Sequence, residues 1–133
     1  MKASELRLYN WCSIHGMNIC VNGQYMIGIL KNDYELKPII LTEEWHNKFG
    51  TLKNGFDSFE YELPRKNNIN VSIVFSGDYV MLKQCDINTP LRDTDIVSLW
   101  NKDLTKRDMF VHEFQNLYFA LTGIELQLSS NVA

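Results

Sequence analysis

The stretch Ile69-Asn70-Val71-Ser72-Ile73-Val74-Phe75 carries an apolar side chain at every odd-numbered position. Such a period of two residues is typical of a β-strand that buries one face and leaves the other face wetter. The same alternation places Phe59, Tyr61 and Leu63 on one face of an earlier strand. Gly77-Asp78 is a suitable two-residue hairpin turn, since glycine adopts positive φ freely. The sequence therefore predicts strands over 56–63, 69–76 and 79–85.

The segment after Thr105 has the clearest helical periodicity in the chain. Its apolar side chains recur with helical spacing and share one stripe, formed by Phe110, Phe114, Leu117, Tyr118 and Leu121. Thr105 to Asp108 fits a capping-box pattern at the start, and Gly123 suits the C-cap. We therefore expect a helix over 106–122 whose apolar stripe faces the core, followed by a last strand over 124–128.

Nearer the N-terminus, β-branched and aromatic residues are interrupted every few positions by turn-forming residues. The interruptions are His15-Gly16 and Asn22-Gly23, and Asn-Gly is a strong signal for a two-residue hairpin. This pattern predicts a meander of three strands, near 7–14, 17–22 and 24–31.

A short helix is predicted over 42–49, where the local signals agree. Thr42 is a good N-cap, and the two glutamates after it lie where the helix dipole favours negative charge. Trp45 and Phe49 are four residues apart and share one face.

Strands that are grouped apart from helices indicate an α+β fold. We expect a mostly antiparallel β-sheet or a small barrel, packed by helices at about 42–49 and 106–122. Segment 86–101 is compatible with either helix or strand. A length of 133 residues suits one domain, predicted over 1–133 with a frayed tail over 129–133.

Composition limits the function classes. The formal charge of −3 lacks the basic excess that nucleic-acid-binding domains usually show. Three cysteines leave one unpaired in any intramolecular scheme, which indicates reduced thiols and hence a cytoplasmic location. No secretory leader is evident, and no apolar run approaches the ~20 residues of a membrane helix, so no membrane association is expected.

Cys12, His15 and Cys20 have the spacing C-x2-H-x4-C, and these residue types are zinc ligands. A closed structural zinc site needs four ligands, and Cys85 could supply the fourth only if the strands converge. The alternative, which we favour, is that the two cysteines are small buried residues beside a turn histidine.

No recognised catalytic motif occurs, so we predict neither an enzyme nor a cofactor.

Two groups of side chains are candidates for binding. His112, Gln115, Asn116 and Phe119 lie off the apolar stripe and are predicted to project from the flank and back of the second helix. They form either a second packing face or a contact surface of aromatic and amide groups.

Lys102, Lys106 and Arg107 gather at the predicted start of the same helix, where cations oppose the dipole unless an anion binds there. The anion could be a nucleic-acid phosphate or the carboxylates of a partner. Alternatively, Asp103 and Asp108 balance a solvated run of charges.

Three segments together resemble one family. Pro38-Ile-Ile-Leu-Thr-Glu-Glu-Trp-His-Asn-Lys-Phe-Gly50 resembles P-I-x-L-T-E-E-W-L-x-K-F-G. Val111-His-Glu-Phe-Gln-Asn-Leu-Tyr-Phe-Ala-Leu-Thr-Gly123 resembles V-H-x-L-Q-N-L-Y-F-A-L-T-G. The opening Ser4-Glu-Leu-Arg-Leu-Tyr-Asn-Trp11 resembles S-E-L-R-I-G-N-W, with Leu8-Tyr9 in place of Ile-Gly. These segments are similar to those of a family of small proteins of Bacteroidetes and of their phages and mobile elements; residues 51–108 show no such similarity.

The resemblance carries over no activity but implies a context. It favours a non-catalytic phage or mobile-element accessory protein that binds a host protein or ribonucleoprotein, for example as an anti-CRISPR-like inhibitor of a defence nuclease. One alternative is a stand-alone module for RNA or single-stranded nucleic acid, which would contact RNA through the basic cluster at 102–107 and strand aromatics. A second alternative is an enzyme with an unrecognised site.

Overall fold

The computed structural model describes residues 1–50, 52–53, 58–64, 69–86 and 96–129. The chain divides into two compact units. The first unit comprises Met1–Trp45 with Met109–Gln127, and the second comprises His46–Asp108 with Leu128–Ala133. The prediction of one domain over 1–133 stays a prediction, as does that of a frayed tail, since 130–133 lie outside the described residues.

The second unit is built on an antiparallel sheet. Its strands are β4 (Leu52–Lys53), β5 (Ser58–Glu62), β6 (Ile69–Ser76), β7 (Tyr79–Asp86) and β8 (Ile96–Asn101), paired in that order. The three strands predicted from alternation are thus confirmed, and the alternating residues Ile73 and Phe75 are buried. Gly77 has φ +57 and forms the predicted two-residue turn with Asp78.

The α+β prediction is confirmed, but its small-barrel variant is wrong. In the described sheet the pairing ends at β4 on one side and β8 on the other, so it does not close. Within the ambiguous segment 86–101, Ile96–Asn101 is a strand, and 87–95 lie outside the described residues. A four-residue helix, α3 (Lys102–Thr105), follows β8 directly.

Aromatic packing covers the β5–β6 face within the second unit. The His46 ring stacks on Phe59 with centroids 4.3 Å apart and meets Phe75 edge-on at 4.6 Å. Tyr61 is buried and its hydroxyl donates to the His46 carbonyl oxygen at 3.1 Å.

In the first unit, β1 (Trp11–Ile14) and β2 (Met17–Cys20) form a hairpin, and β3 (Leu36–Lys37) pairs with the other edge of β1. Both residues of the His15-Gly16 turn have positive φ, as a primed hairpin turn requires. The first two strands of the predicted meander are therefore confirmed, although β1 begins only at Trp11.

The predicted third strand, near 24–31, is wrong, because Gly23–Leu30 forms a helix, α1. Asn22 does not open a hairpin but caps this helix, its side-chain oxygen accepting from the Tyr25 amide at 2.9 Å. A short apolar run cannot be assigned to strand or helix by periodicity alone. Within this helix, a Cβ added at Gly28 would lie 2.2 Å from the Tyr34 ring, so a larger residue there would require the ring to move.

The short helix predicted over 42–49 is confirmed as α2 (Glu43–Lys48). Both aromatic residues of its predicted face, Trp45 and Phe49, are buried. The Trp45 ring packs against Trp11 of β1, with centroids 5.5 Å apart.

The second predicted helix starts five residues later than expected, and α4 spans Val111–Thr122. Residues before it are held extended, because Leu41 donates to the Met109 carbonyl and Val111 to the Ile39 carbonyl. The capping box at Thr105 is therefore wrong, and the Phe110 amide instead donates to Glu113 at 2.9 Å. The predicted C-cap is confirmed, since Gly123 has φ +71.

The predicted core face of α4 is partly wrong. Phe114 is fully buried as expected, but Leu121 is exposed, and the buried positions are Val111, His112, Phe114 and Gln115. The buried face of α4 therefore differs from the predicted apolar stripe, because it includes the polar residue Gln115. The strand predicted over 124–128 is also wrong, since these described residues adopt no regular structure.

Phe114→Ala should destabilise the protein by roughly 3–5 kcal/mol, because it removes a fully buried aromatic side chain. Phe119→Ala is the matched control on the same helix and should cost about 1 kcal/mol or less, since that ring is substantially exposed. Urea unfolding followed by circular dichroism measures both. Equal losses for the two variants would contradict the observed helix face.

Candidate functional site

Arg7 is the centre of a polar cluster in the first unit. Its Nε donates to Asn116 Oδ1 at 2.8 Å, and its terminal nitrogens donate to Glu125 at 2.5 Å and to the Gln115 carbonyl oxygen at 3.4 Å. Every nitrogen of the guanidinium group is thus engaged, and its charge is balanced by a carboxylate of the same unit.

Two amide side chains of α4 hold the opening segment in place. Gln115 is fully buried; its Oε1 accepts from the Trp11 amide at 2.8 Å and its Nε2 donates to the Tyr9 carbonyl oxygen at 2.9 Å. Asn116 accepts from the fully buried Asn10 at 3.0 Å. These bonds supply partners for buried backbone groups on both sides of Asn10.

Tyr9 has a conformation that is rare for its residue type. Its φ is +71, and the left-handed region costs a non-glycine residue roughly 1–2 kcal/mol. The conformation is fixed from both sides, since the Tyr9 amide donates to the Val21 carbonyl at 2.7 Å and the Tyr9 carbonyl accepts from Gln115.

The strained residue presents its side chain to solvent. Tyr9 is 58% exposed, and Leu8 beside it is 44% exposed. The Phe119 ring, 38% exposed, lies under the Arg7 guanidinium, whose carbon is 4.3 Å from the ring centroid. Ile124, 51% exposed, precedes the Glu125 that pairs with Arg7. We call Leu8, Tyr9, Phe119 and Ile124, around the Arg7–Glu125 pair, the Tyr9 surface.

The predicted binding residues do not form one cluster in a single unit. His112, Gln115, Asn116 and Phe119 belong to the first unit, and Lys102, Lys106 and Arg107 belong to the second. Of the first group, Phe119 lies on the Tyr9 surface and Asn116 beneath it. His112 and Gln115 are both buried, which agrees with the alternative of a second packing face and excludes these two side chains from a contact surface.

The predicted anion site at the start of the second helix is also wrong in its placement. Lys106 and Arg107 precede α4 and follow the four-residue helix, at whose C-terminal end Lys106 adopts φ +63. Cations are favourable at a helix C-terminus, so their presence needs no bound anion. Lys102 bonds Asp108 at 2.9 Å, and this hydrogen bond raises the pKa of Lys102.

The candidate zinc ligands are not arranged as a site. Cys20 lies opposite Trp11 in the hairpin, and Cys12 is the residue after Trp11. Because neighbouring residues of a strand point to opposite faces, the side chains of Cys12 and Cys20 lie on opposite faces of the hairpin. Within the ranges that the structure describes, no three His, Cys, Asp or Glu side chains are grouped to hold a metal ion. Only the backbone of Cys85 is described, so the prediction that it could supply a fourth ligand stays a prediction.

Arg7, Leu8, Tyr9 and Ile124 were not among the residues predicted from the sequence. No periodicity or motif singles them out, because their proximity depends on the fold.

Gln115→Leu should destabilise the protein by about 2–4 kcal/mol, since it leaves the Trp11 and Tyr9 backbone groups without these side-chain partners. Gln24→Leu, at an exposed position of α1, is the matched control and should change stability by about 0.5 kcal/mol or less. Chemical denaturation gives both values. A small loss for Gln115→Leu would show that the amide bridge is unimportant.

Cys12 should be the slower of the two described thiols to react with iodoacetamide at pH 8. Burial, and to a lesser degree Cys20, raise the pKa of Cys12 to about 11, which keeps it protonated. Above the ordinary pKa of 9.0 the folded state keeps the Cys12 proton, whereas the unfolded state loses it. The contribution of Cys12 to the free energy of unfolding is therefore present below pH 9 and is lost as the pH rises from about 9 to 11.

Peptide mass spectrometry after timed alkylation reports the two sites separately. The same experiment in denaturant is the control, and there the two sites should react alike. Native-state labelling of Cys12 as fast as that of Cys20 would contradict its burial.

Among the helices of the described ranges, none has the length and apolar character needed to span a bilayer. Comparison with known proteins gives no relative: no protein-family model matches this chain, and no curated protein or solved structure shows significant similarity to it.

Proposed function

We propose that this protein is a non-catalytic binding protein that contacts a partner protein through the Tyr9 surface. The observation that carries the proposal is the exposed Tyr9 ring, held at φ +71 by hydrogen bonds to both of its backbone polar groups. Non-glycine residues kept in such a conformation cluster at functional sites, where the surroundings compensate the strain.

The composition of the Tyr9 surface suits a protein partner. Tyrosine, phenylalanine and arginine are enriched in the cores of protein interfaces, and exposed leucine and isoleucine add apolar area. The backbone beneath is fixed by Gln115, so little conformational entropy is lost when a partner orders this segment.

Charge argues against the nucleic-acid alternative at this surface. Binding to a phosphate backbone needs cations that can exchange their counterions for phosphate. Arg7 is already paired with Glu125, and in the second unit Lys102 is paired with Asp108. A phosphate contact at either place would have to compete with an existing carboxylate.

The resemblance of the chain to proteins of phages and mobile elements supports a bacterial host protein as the partner. The expected consequence of binding is inhibition of that protein, and defence nucleases of the CRISPR type are the class that this context favours. This part of the proposal rests on the resemblance, and the choice of a protein partner rests on the Tyr9 surface.

Tyr9→Gly is the decisive variant, because it removes the ring and relieves the backbone strain. Its stability should stay within about 1 kcal/mol of the original, since relief of strain is offset by the greater freedom of glycine in the unfolded chain. Affinity capture from host lysate, with quantitative mass spectrometry, should then lose the specific partner at least tenfold. The capture should survive nuclease treatment.

Tyr79→Ala is the matched control, since Tyr79 is an exposed tyrosine of the second unit. It should retain the partner. The double variant Lys106→Ala, Arg107→Ala should also retain it. If Tyr9→Gly captured the partner undiminished, the Tyr9 surface would not be the contact; recovery of nuclease-sensitive nucleic acid alone would favour the nucleic-acid module.

A further inference from the structure

The pair Asn22-Gly23 lies at the exposed start of α1. The side-chain amide of an asparagine can be attacked by the backbone nitrogen of the residue that follows it. Glycine permits this attack best, because it has no Cβ to shield its nitrogen. Both residues of the pair are exposed, and so is Gln24 after them. The pair therefore combines a chemically labile sequence with access to water.

The structure leaves the Gly23 nitrogen open to react. The first hydrogen bond of α1 joins the Met26 amide to the Asn22 carbonyl oxygen at 2.9 Å, and the amide of the first residue of a helix has no partner within the helix. Apart from its chain neighbours and the backbone of α1, no atom of the described residues lies within 4 Å of a Cβ built on Gly23. Packing in the described part of the chain therefore does not shield this side of the backbone.

One hydrogen bond opposes the attack. Asn22 Oδ1 accepts from the Tyr25 amide at 2.9 Å, and Asn22 has a ψ of −177. Formation of a bond between Asn22 Cγ and the Gly23 nitrogen requires the side chain to turn away from the Tyr25 amide and the backbone to rotate about this ψ. Because the bond is exposed and lies at a helix end, it opens at little cost in free energy. The capping bond therefore slows the attack without preventing it.

We infer that Asn22 is a site of spontaneous deamidation. A base removes the Gly23 amide proton, and the Gly23 nitrogen forms a bond to Asn22 Cγ. The bond from Cγ to Nδ2 breaks, and Nδ2 takes up a proton and leaves as ammonia. Water then opens the resulting five-membered imide at either of its carbonyl groups, which gives aspartate or isoaspartate. Water is the co-reactant, no oxidant or reductant is needed, and the inference does not depend on the Tyr9 surface.

The two products differ in their effect on α1. Each carries one more negative charge than asparagine. Aspartate leaves the main chain unchanged and is as good an N-cap as asparagine. Isoaspartate lengthens the main chain by one carbon atom before Gly23, which displaces the cap from the helix. Protein that contains isoaspartate should therefore unfold at a lower urea concentration than the variant Asn22→Asp.

Peptide mapping by mass spectrometry, on the full folded chain aged in buffer at neutral and at mildly alkaline pH, tests the inference. Isoaspartate is identified by methylation with an isoaspartyl methyltransferase. Conversion of Asn22 should be faster at the higher pH, because a base must remove the Gly23 amide proton. It should also be at least tenfold faster than conversion of the exposed asparagines that glycine does not follow, which are Asn18, Asn32 and Asn47.

Gly23→Ala is the decisive variant. The added Cβ shields the nitrogen, and the structure has room for it, so the fold should be retained by circular dichroism. Conversion of Asn22 should slow at least tenfold. Asn54-Gly55 is a second pair of the same sequence, outside the described residues, and its conversion should be the same in the variant and the original chain.

An Asn22 that stays intact in the folded chain, yet converts when the chain is unfolded in urea, would overturn the inference by showing that the capping bond protects it. Undiminished conversion of Asn22 in Gly23→Ala would also overturn it, since the Gly23 nitrogen would then not be the attacking group.

Discussion

The side-chain amide of Gln115 is the constraint on which the first unit depends. Its two polar atoms bond the backbone on either side of Asn10, and the side chain is fully buried. A buried amide without hydrogen-bond partners would cost free energy. The Gln115 side chain on α4 and the backbone of the opening segment therefore depend on each other for these hydrogen bonds. Arg7 extends the same arrangement towards solvent through Asn116 and Glu125.

This polar attachment explains how an unfavourable backbone conformation at Tyr9 persists. The Tyr9 amide and carbonyl are both engaged, with Val21 and Gln115, and these bonds fix the backbone on either side of the ring. The result is an exposed aromatic side chain on a backbone fixed by hydrogen bonds, beside the exposed Leu8 in the chain. The combination of an exposed ring and a positive φ at Tyr9 supports a binding role, since neither feature alone distinguishes a contact surface.

Sequence reasoning succeeded where the signal is local. The strands around Ile69–Ser76 follow from alternation, and α2 follows from its cap and first turn. It failed for 24–31, where a short apolar run is compatible with both strand and helix. It also failed at the start of α4, because the Val111 amide donates to Ile39 and the Leu41 amide donates to Met109, which holds these residues extended. Gln115, Asn116 and Phe119 are predicted from the sequence as candidates, but the hydrogen bonds of Gln115 are not, because its partners Tyr9 and Trp11 lie about a hundred positions away.

The most direct test of the central claim is site-specific photo-crosslinking in host cells, with a photoreactive phenylalanine derivative in place of Tyr9. The account predicts one discrete adduct that protease removes and nuclease does not. The same derivative in place of Tyr79 should give no such adduct. No adduct from position 9, or equal adducts from both positions, would contradict the claim that the Tyr9 surface is where this protein meets its partner.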